Sequence, residues 1–203
     1  MGRTIGRLRS DGGFGRGCGV ARAPGPIWPA PDACRRPCWS DAVREGFHGS
    51  AWFAHRLDGV VSHVEVRGPS FKGSLRGGAK TLFRFGWVGE GTTRLAIAEA
   101  PIDALSLAAI EGVRADTLYL ATGGGMGPGT VAAIEAELHS VAATPQALLA
   151  SATDVDRAGE RYAAQHADLA ARTGVRFERL APTVGADWND TLVRPEVMKT
   201  CTK

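Results

Sequence analysis

Long apolar runs are missing from this 203-residue sequence. Nowhere do about 18 apolar residues stand together, so no segment is expected to span a bilayer. The amino-terminal stretch is rich in Arg and Gly but lacks the apolar core of a signal peptide, and a cytoplasmic protein is expected. Cysteine is scarce: Cys18, Cys34, Cys38 and Cys201 are the full set, and only Cys34 and Cys38 lie close together. A zinc ribbon needs two such pairs, so free thiols are the expectation. Tyrosine is scarcer still, with Tyr119 and Tyr162 alone. No repeat of solenoid type is visible. Net charge is only +3, yet its distribution is uneven. Residues 1–90 hold 14 Lys/Arg against 7 Asp/Glu, and residues 91–203 hold 10 against 14. A basic first half beside an acidic second half fits a polyanion-contacting part joined to a metal-binding part; a solubilising surface with an Arg-rich tail fits equally well.

Residues 1–38 show no periodicity and are rich in Gly, Arg, Pro and Cys. They are expected to form an irregular basic tail, because they bury too little apolar surface to offset ordering entropy. Residues 39–90 read as a small antiparallel β module. Ser40-Asp41 is placed to cap a short helix through about Glu45. Ala51–His55 and Val60–Val66 read as strands, and Asp58-Gly59 between them is a hairpin signal. Phe71–Ser74 and Thr81–Phe85 add further strands. The basic loop Leu75–Lys80 either approaches a phosphate or is a solvated turn. From residue 94 the pattern alternates. Strands are expected at about 94–99, 117–121, 147–153 and 175–180, and helices at about 102–111, 129–141 and 157–173. Repeated βα units predict an α/β fold with a mainly parallel sheet and helices on both faces.

Carboxylates mark the ends of two of these strands. Glu99 closes Leu95-Ala96-Ile97-Ala98, and Asp154 and Asp156 follow the run 147–153. In an open parallel sheet the carboxyl ends of the strands share one edge, where ligands bind. Carboxylates gathered there repel one another unless a cation joins them, and oxygen donors of this kind suit Mg²⁺ or Mn²⁺ with a phosphate substrate. Asp103 lies one helical turn beyond Glu99: it is either a further ligand or a first-turn carboxylate favoured by the helix dipole. The glycine run Gly123-Gly124-Gly125 precedes a helix, which suits an anion or a tight βα turn. No Gly-Lys-Ser/Thr follows it, so it is not a P-loop. His139 and His166 are expected at the surface, and His55 and His63 to be structural.

Taken together, these residues resemble a Toprim domain, the catalytic fold shared by DnaG-type primases, topoisomerases and some nucleases. The resemblance covers about residues 93–195. It rests on Glu99 after the first strand, on Thr122-Gly123-Gly124-Gly125-Met126-Gly127 after the second, and on Asp154-Val155-Asp156 with Arg157-Ala158-Gly159 after the third. The late Asp187-Trp188-Asn189-Asp190 resembles the tail of primase-like Toprim proteins of mobile elements. Ala100-Pro101 stands where the family usually has Gly after its Glu, a departure that keeps a helix start, since Pro suits a first helical turn. The upstream strands, with Glu65-Val66-Arg67-Gly68 and Phe71-Lys72-Gly73, resemble an uncharacterised domain often fused to such Toprim domains.

The resemblance implies Mg²⁺-dependent (or Mn²⁺-dependent) nucleotidyl transfer on DNA or RNA, with Glu99 as acid/base; by residue type and position Glu99 could instead be a third metal ligand, and Asp154, Asp156 and Asp103 are the candidate ligands. Asp187, Asn189 and Asp190 either hold those ligands in place or join them, or form an exposed helix cap. Arg67, Lys72, Arg76, Lys80, Arg84 and Arg157, with Gly123, Gly124 and Gly125, are candidates for nucleic-acid or phosphate binding. Nucleotides and a helicase or other replication protein are the implied partners. A Toprim-type nuclease and a non-catalytic nucleic-acid-binding module are the alternatives. Topoisomerase-like cleavage is not expected, because Tyr119 falls inside a strand and Tyr162 inside a helix. The chain is short for a complete primase, with no convincing zinc ribbon or helicase-binding tail.

Overall fold

The computed structural model describes residues 42–86 and 91–194. The expected basic tail, all four cysteines and the Ser40-Asp41 cap lie outside the described residues. Among the described residues, nine strands form one mixed sheet. In chain order they are β1 Val43–Glu45, β2 Ala51–Leu57, β3 Val60–Arg67, β4 Lys72–Ser74, β5 Leu82–Gly86, β6 Arg94–Ala98, β7 Thr117–Ala121, β8 Leu148–Ser151 and β9 Arg176–Arg179. The helices are α1 Pro101–Ile110, α2 Pro128–Ala142, α3 Arg157–Thr173 and α4 Trp188–Val193. Across the sheet the order is β4-β3-β2-β5-β7-β6-β8-β9, with β1 paired to β2.

Strands β7, β6, β8 and β9 run parallel, as the βα pattern requires. Their central members carry apolar residues on both faces, because helices cover both sides. One core layer joins Ala96, Ala98, Tyr119 and Ala150 to Leu105 and Leu107 of α1 and to Trp188 of α4. The other joins Leu95, Ile97, Leu118 and Leu149 to Ile134 and Leu138 of α2 and Leu169 of α3. The β2–β3 hairpin turns at Asp58 and Gly59, both at positive φ (49° and 76°), as a two-residue type I′ turn demands. The short helix expected to run through Glu45 is not formed. Val43–Glu45 is a strand paired with Ala51–Phe53, since cross-strand packing outweighs a weak local preference.

The antiparallel strands are continuous with the parallel ones. Strand β5 pairs antiparallel with β7 from Phe83↔Ala121 to Gly86↔Leu118, and with β2 at His55 and Arg56. Phe53, Phe83 and Phe85 therefore join the same core layer as α1 and α4. The Phe85 ring stacks on Tyr119 with centroids 5.2 Å apart. This shared core leads us to expect one cooperative unfolding unit. The amides of Phe53 in β2 and Leu120 in β7 should lose exchange protection at the same denaturant concentration. Separate midpoints would mean that residues 39–90 and 93–195 behave as independent domains.

Among the described residues no helix is long and apolar enough to cross a membrane. Away from the carboxyl edge, Arg94 is buried and forms a two-pronged bond to Glu111 (2.8 and 3.0 Å). Tyr119 donates its hydroxyl to the same carboxylate at 2.8 Å. That bond, with burial, commits the phenol to a structural role. Tyr162 lies on α3 beneath the Arg161 guanidinium.

Candidate active site at the carboxyl edge

Glu99 and Asp154 follow β6 and β8, which are paired neighbours, so the chain's topology brings them together. The Asp154 backbone N–H donates to Glu99 Oε1 at 3.3 Å. Asp156 turns instead to α3, where its carboxylate caps the helix by accepting from Gly159 N–H at 2.7 Å. Gly159 explains the spacing of the motif. A Cβ there would lie 2.1 Å from the Asp154 carbonyl oxygen and 2.9 Å from Glu99 Oε1. Only glycine lets α3 descend onto the strand-end loop.

Helix α1 begins at Pro101, as the Ala100-Pro101 departure allows, and its first turn buries Asp103 at 5% exposure. Helix α4 meets it there: the Asn189 backbone N–H donates to Asp103 Oδ1 at 3.3 Å. Trp188 anchors α4 to the sheet by donating Nε1–H to the Ala152 carbonyl at 2.8 Å. Asp187 caps α4 by accepting from Asp190 N–H at 2.7 Å, while the Asp190 carboxylate pairs with Arg194 at 3.3 Å. Asp187 and Asn189 thus border the carboxylate group, whereas Asp190 is engaged with its own helix.

These carboxylates feel one another. Burial, followed by the charges of Asp154 and Asp187, pushes Asp103 up to about 7, against the pull of the Asn189 hydrogen bond and of Arg67. Burial, then Glu99, Asp187 and Asp156, pushes Asp154 up to about 6, with Arg179 opposing. Burial is also the largest cause that raises Glu99; Asp156 adds to it, and the Asp154 N–H, Arg179 and Arg161 offset part. Raised carboxylate pKa values gathered at one sheet edge mark a candidate functional site.

The chemistry of this donor set fits a hard divalent cation. Asp154 Oδ1 and Asn189 Oδ1 are both buried and have no hydrogen-bond partner among the described residues. Also among the described residues, no three His, Cys, Asp or Glu side chains stand together so as to hold a metal ion by themselves. The oxygen donors are spread over two strand ends and two helices instead. An ion at this edge would need waters or phosphate oxygens to complete its shell, as Mg²⁺ commonly does.

The cations fall into several groups. Arg67, on β3, is close enough to influence both Asp103 and Glu65. Lys72 and Arg76 are exposed on and just beyond β4. Lys80 donates from Nζ to the Gly123 carbonyl at 2.5 Å. Arg84 does not face the same surface: its Nε–H donates to Glu137 of α2 at 2.6 Å, and it also bonds the Arg56 carbonyl. The alternation of β5 sends Arg84 to the α2 side and Phe83 and Phe85 to the α1 side. Arg157 is exposed at the start of α3. The glycine turn is partly committed within the fold: Gly124 N–H donates to the Glu99 carbonyl at 3.0 Å, and Gly123 packs against Glu65 and His55. Gly125 has open space about its α-carbon.

Two groups, Arg179 and the buried His166, were missed in the sequence. Arg179, at the end of β9, donates to the Asp154 carbonyl at 3.0 Å and to Glu160 at 2.8 Å; its position at a parallel-strand end was the available signal. Arg161, within the stretch 157–161 expected to guide a polyanion, also acts on Glu99 from α3. His166, expected at the surface, is fully buried with Nδ1 2.9 Å from Ser151 Oγ, because α3 turns that face onto β8.

Four parallel strands with an acidic carboxyl edge, continued on one side by antiparallel strands that carry cations, define a mixed-sheet α/β protein. Residues 96–192 match the Toprim-like family. Residues 30–91 match a family described as a protein of unknown function (DUF3991). Among solved structures, the chain is similar to the primase fragment of the bacteriophage T7 primase-helicase protein. Identity is 18%, coverage is 73% of this chain and 59% of that chain, and the TM-score is 0.45. It is also similar to a chain in the structure of bacteriophage T7 lagging-strand DNA polymerase interacting with primase domains of two gp4 subunits, bound to an RNA/DNA hybrid and dTTP. There identity is 15%, coverage is 77% and 76%, and the TM-score is 0.42. No curated protein gives a significant sequence match.

Proposed function

We propose that this chain carries out Mg²⁺-dependent nucleotidyl transfer on a nucleic acid, in the manner of a primase-like Toprim protein. The observation that carries the reading is the convergence of Glu99, Asp103 and Asp154 at one sheet edge, with Asp154 Oδ1 buried and unpartnered. Asp154 and Asp103 are the proposed holders of Mg²⁺, with Asp156 and Asp187 adding negative charge beside them. When bound, the ion would neutralise charge on phosphate oxygens and orient them. Glu99, raised by burial, is suited to take a proton from an attacking hydroxyl at its free carboxylate oxygen. Arg179 fixes the Asp154 loop through the backbone carbonyl. Arg67, Lys72 and Arg76 supply the cations that hold the polyanion on the antiparallel side.

The test is an incubation with single-stranded template, nucleoside triphosphates and Mg²⁺, with labelled products resolved by length. Extended products are expected. Shortened products would make the same carboxylates a nuclease site, with water as nucleophile. Binding without either would leave a nucleic-acid-binding module.

The cations give a separate expectation. Arg67→Ala with Lys72→Ala should weaken binding and flatten its dependence on salt by roughly 1.5 in the log–log slope, the share of two phosphate contacts. Arg84→Ala should leave that slope alone, because Arg84 is paired with Glu137. An unchanged slope in the Arg67/Lys72 double variant, measured by fluorescence anisotropy across a salt series, would place the polyanion elsewhere.

A further inference from the structure

Beside the carboxylate edge lies a second polar cluster that the proposed chemistry does not use. His55 on β2 and Glu65 on β3 are both buried, and His55 Nε2 lies 3.1 Å from Glu65 Oε1. The His63 ring meets His55 edge-on at 5.1 Å. Phe53 and Phe83 occupy the same face and pack there as ordinary apolar residues. A buried His–Glu pair is a poor way to stabilise such a face, since desolvating the two groups offsets most of their attraction. His55 Nδ1 and both ring nitrogens of His63 have no hydrogen-bond partner among the described residues, which adds to the cost.

The pair faces the glycine turn. Gly123 has φ +69°, and a Cβ on it would lie 2.2 Å from Glu65 Oε1 and 3.0 Å from His55 Cε1. Lys80 grips the same residue from outside through the Gly123 carbonyl. The turn in turn holds Glu99: Gly124 N–H donates to the Glu99 carbonyl at 3.0 Å, and Thr122 Oγ1 donates to the same oxygen at 3.3 Å. An unbroken line of contacts therefore runs from the antiparallel strands, through Gly123 and Gly124, to the backbone of the proposed acid/base.

We propose that His55 and Glu65, with Lys80, are positioning residues: they clamp the Gly123 turn and thereby fix where Glu99 stands. Neither His55 nor Glu65 touches the reacting groups. The clamp matters because a misplacement of about 1 Å at a reacting group is enough to cost about 10²-fold in rate. It also gives the upstream strands a task in catalysis beyond binding a polyanion. The proposal rests on the reading of Glu99 as acid/base, but its first test does not require turnover.

That test is amide hydrogen exchange, followed by NMR on the full chain. Glu65→Ala and Lys80→Ala are each expected to speed exchange at Gly124 by about tenfold or more through local opening. The core amides of Ile97 and Leu120 should keep their wild-type rates, and Glu65→Gln, which retains shape and a hydrogen-bond acceptor, should restore protection at Gly124. In the extension assay Glu65→Ala should lower kcat with KM for template unchanged. Unchanged exchange at Gly124 in Glu65→Ala and Lys80→Ala overturns the clamp. So does a rise shared by Ile97 and Leu120, which would make the pair merely structural. Should Glu65→Ala fail to fold, Lys80→Ala, an exposed side chain, carries the same decision. A wild-type chain without turnover removes the catalytic reading of Glu99, while the exchange rates still decide whether the clamp exists.

Discussion

Replacing Glu99 by glutamine is expected to lower turnover by roughly 10²–10⁴-fold, the usual contribution of a positioned acid or base. Gln preserves the shape of the side chain and still accepts from the Asp154 N–H at the Glu99 position. What it loses is the proton exchange that burial has tuned by raising the carboxylate. Metal and nucleic acid should therefore bind to Glu99→Gln much as to the wild type. Calorimetric Mn²⁺ titration beside the extension assay, on one preparation, separates the roles. Affinity and turnover falling together would make Glu99 a metal ligand. Turnover near wild type would leave it an ordinary strand-end carboxylate.

Asp103 gives the second large effect, on stability. Its folded-state pKa is about 7 against an ordinary value of 3.8. A group raised in this way contributes stability that is fully present below about 3.8 and is lost as pH rises through about 7. Without divalent metal, ionising Asp103 is expected to cost up to about 4 kcal/mol by pH 8, at roughly 1.4 kcal/mol per unit. Asp154, raised to about 6, titrates with it, so the two costs do not simply add. Asp103→Asn keeps an oxygen for the Asn189 N–H and removes the charge. It should raise the metal-free Tm at pH 8 by up to roughly 10 °C and change it little at pH 4. The opposite trend comes from His166, held down to about 4 by burial and Arg179, whose contribution fades as pH falls from 6.5 towards 4. Comparing Asp103→Asn with wild type at each pH cancels it. Equal Tm values at pH 8 would mean that Asp103 carries no burden of burial.

How far the sequence went depended on how local each feature is. Strand β7 falls at 117–121 and α3 at 157–173, as the apolar patterns indicate. Both signals lie within a single segment, where periodicity and a capping Asp156 suffice. The Asp154-Val155-Asp156 and Gly159 spacing was legible for the same reason: one loop and one helix start contain it. What was not legible depends on pairing between distant segments. Nothing near Leu82–Gly86 says that it pairs with β7 and carries the hairpin's aromatic residues into the shared core. His166 reads as polar in a helix, and only the packing of α3 on β8 buries it. His55 and Glu65 are ten residues apart in sequence and become meaningful when the turn at Gly123 lies against them. Arg84 read as one cation among several until strand alternation placed it opposite Glu137.

The most direct measurement is the thermal midpoint with and without saturating Mn²⁺ at pH 8, for wild type and for the variant carrying both Asp154→Asn and Asp156→Asn. A cation that binds only the folded chain raises the midpoint by mass action, stabilising the fold by about 2.7 kcal/mol at one hundred times its dissociation constant. The account predicts a clear upward shift in the wild type and none in the double variant, which should itself remain folded. An equal shift in both proteins, or no shift in either, would contradict it and remove the metal from the carboxyl edge.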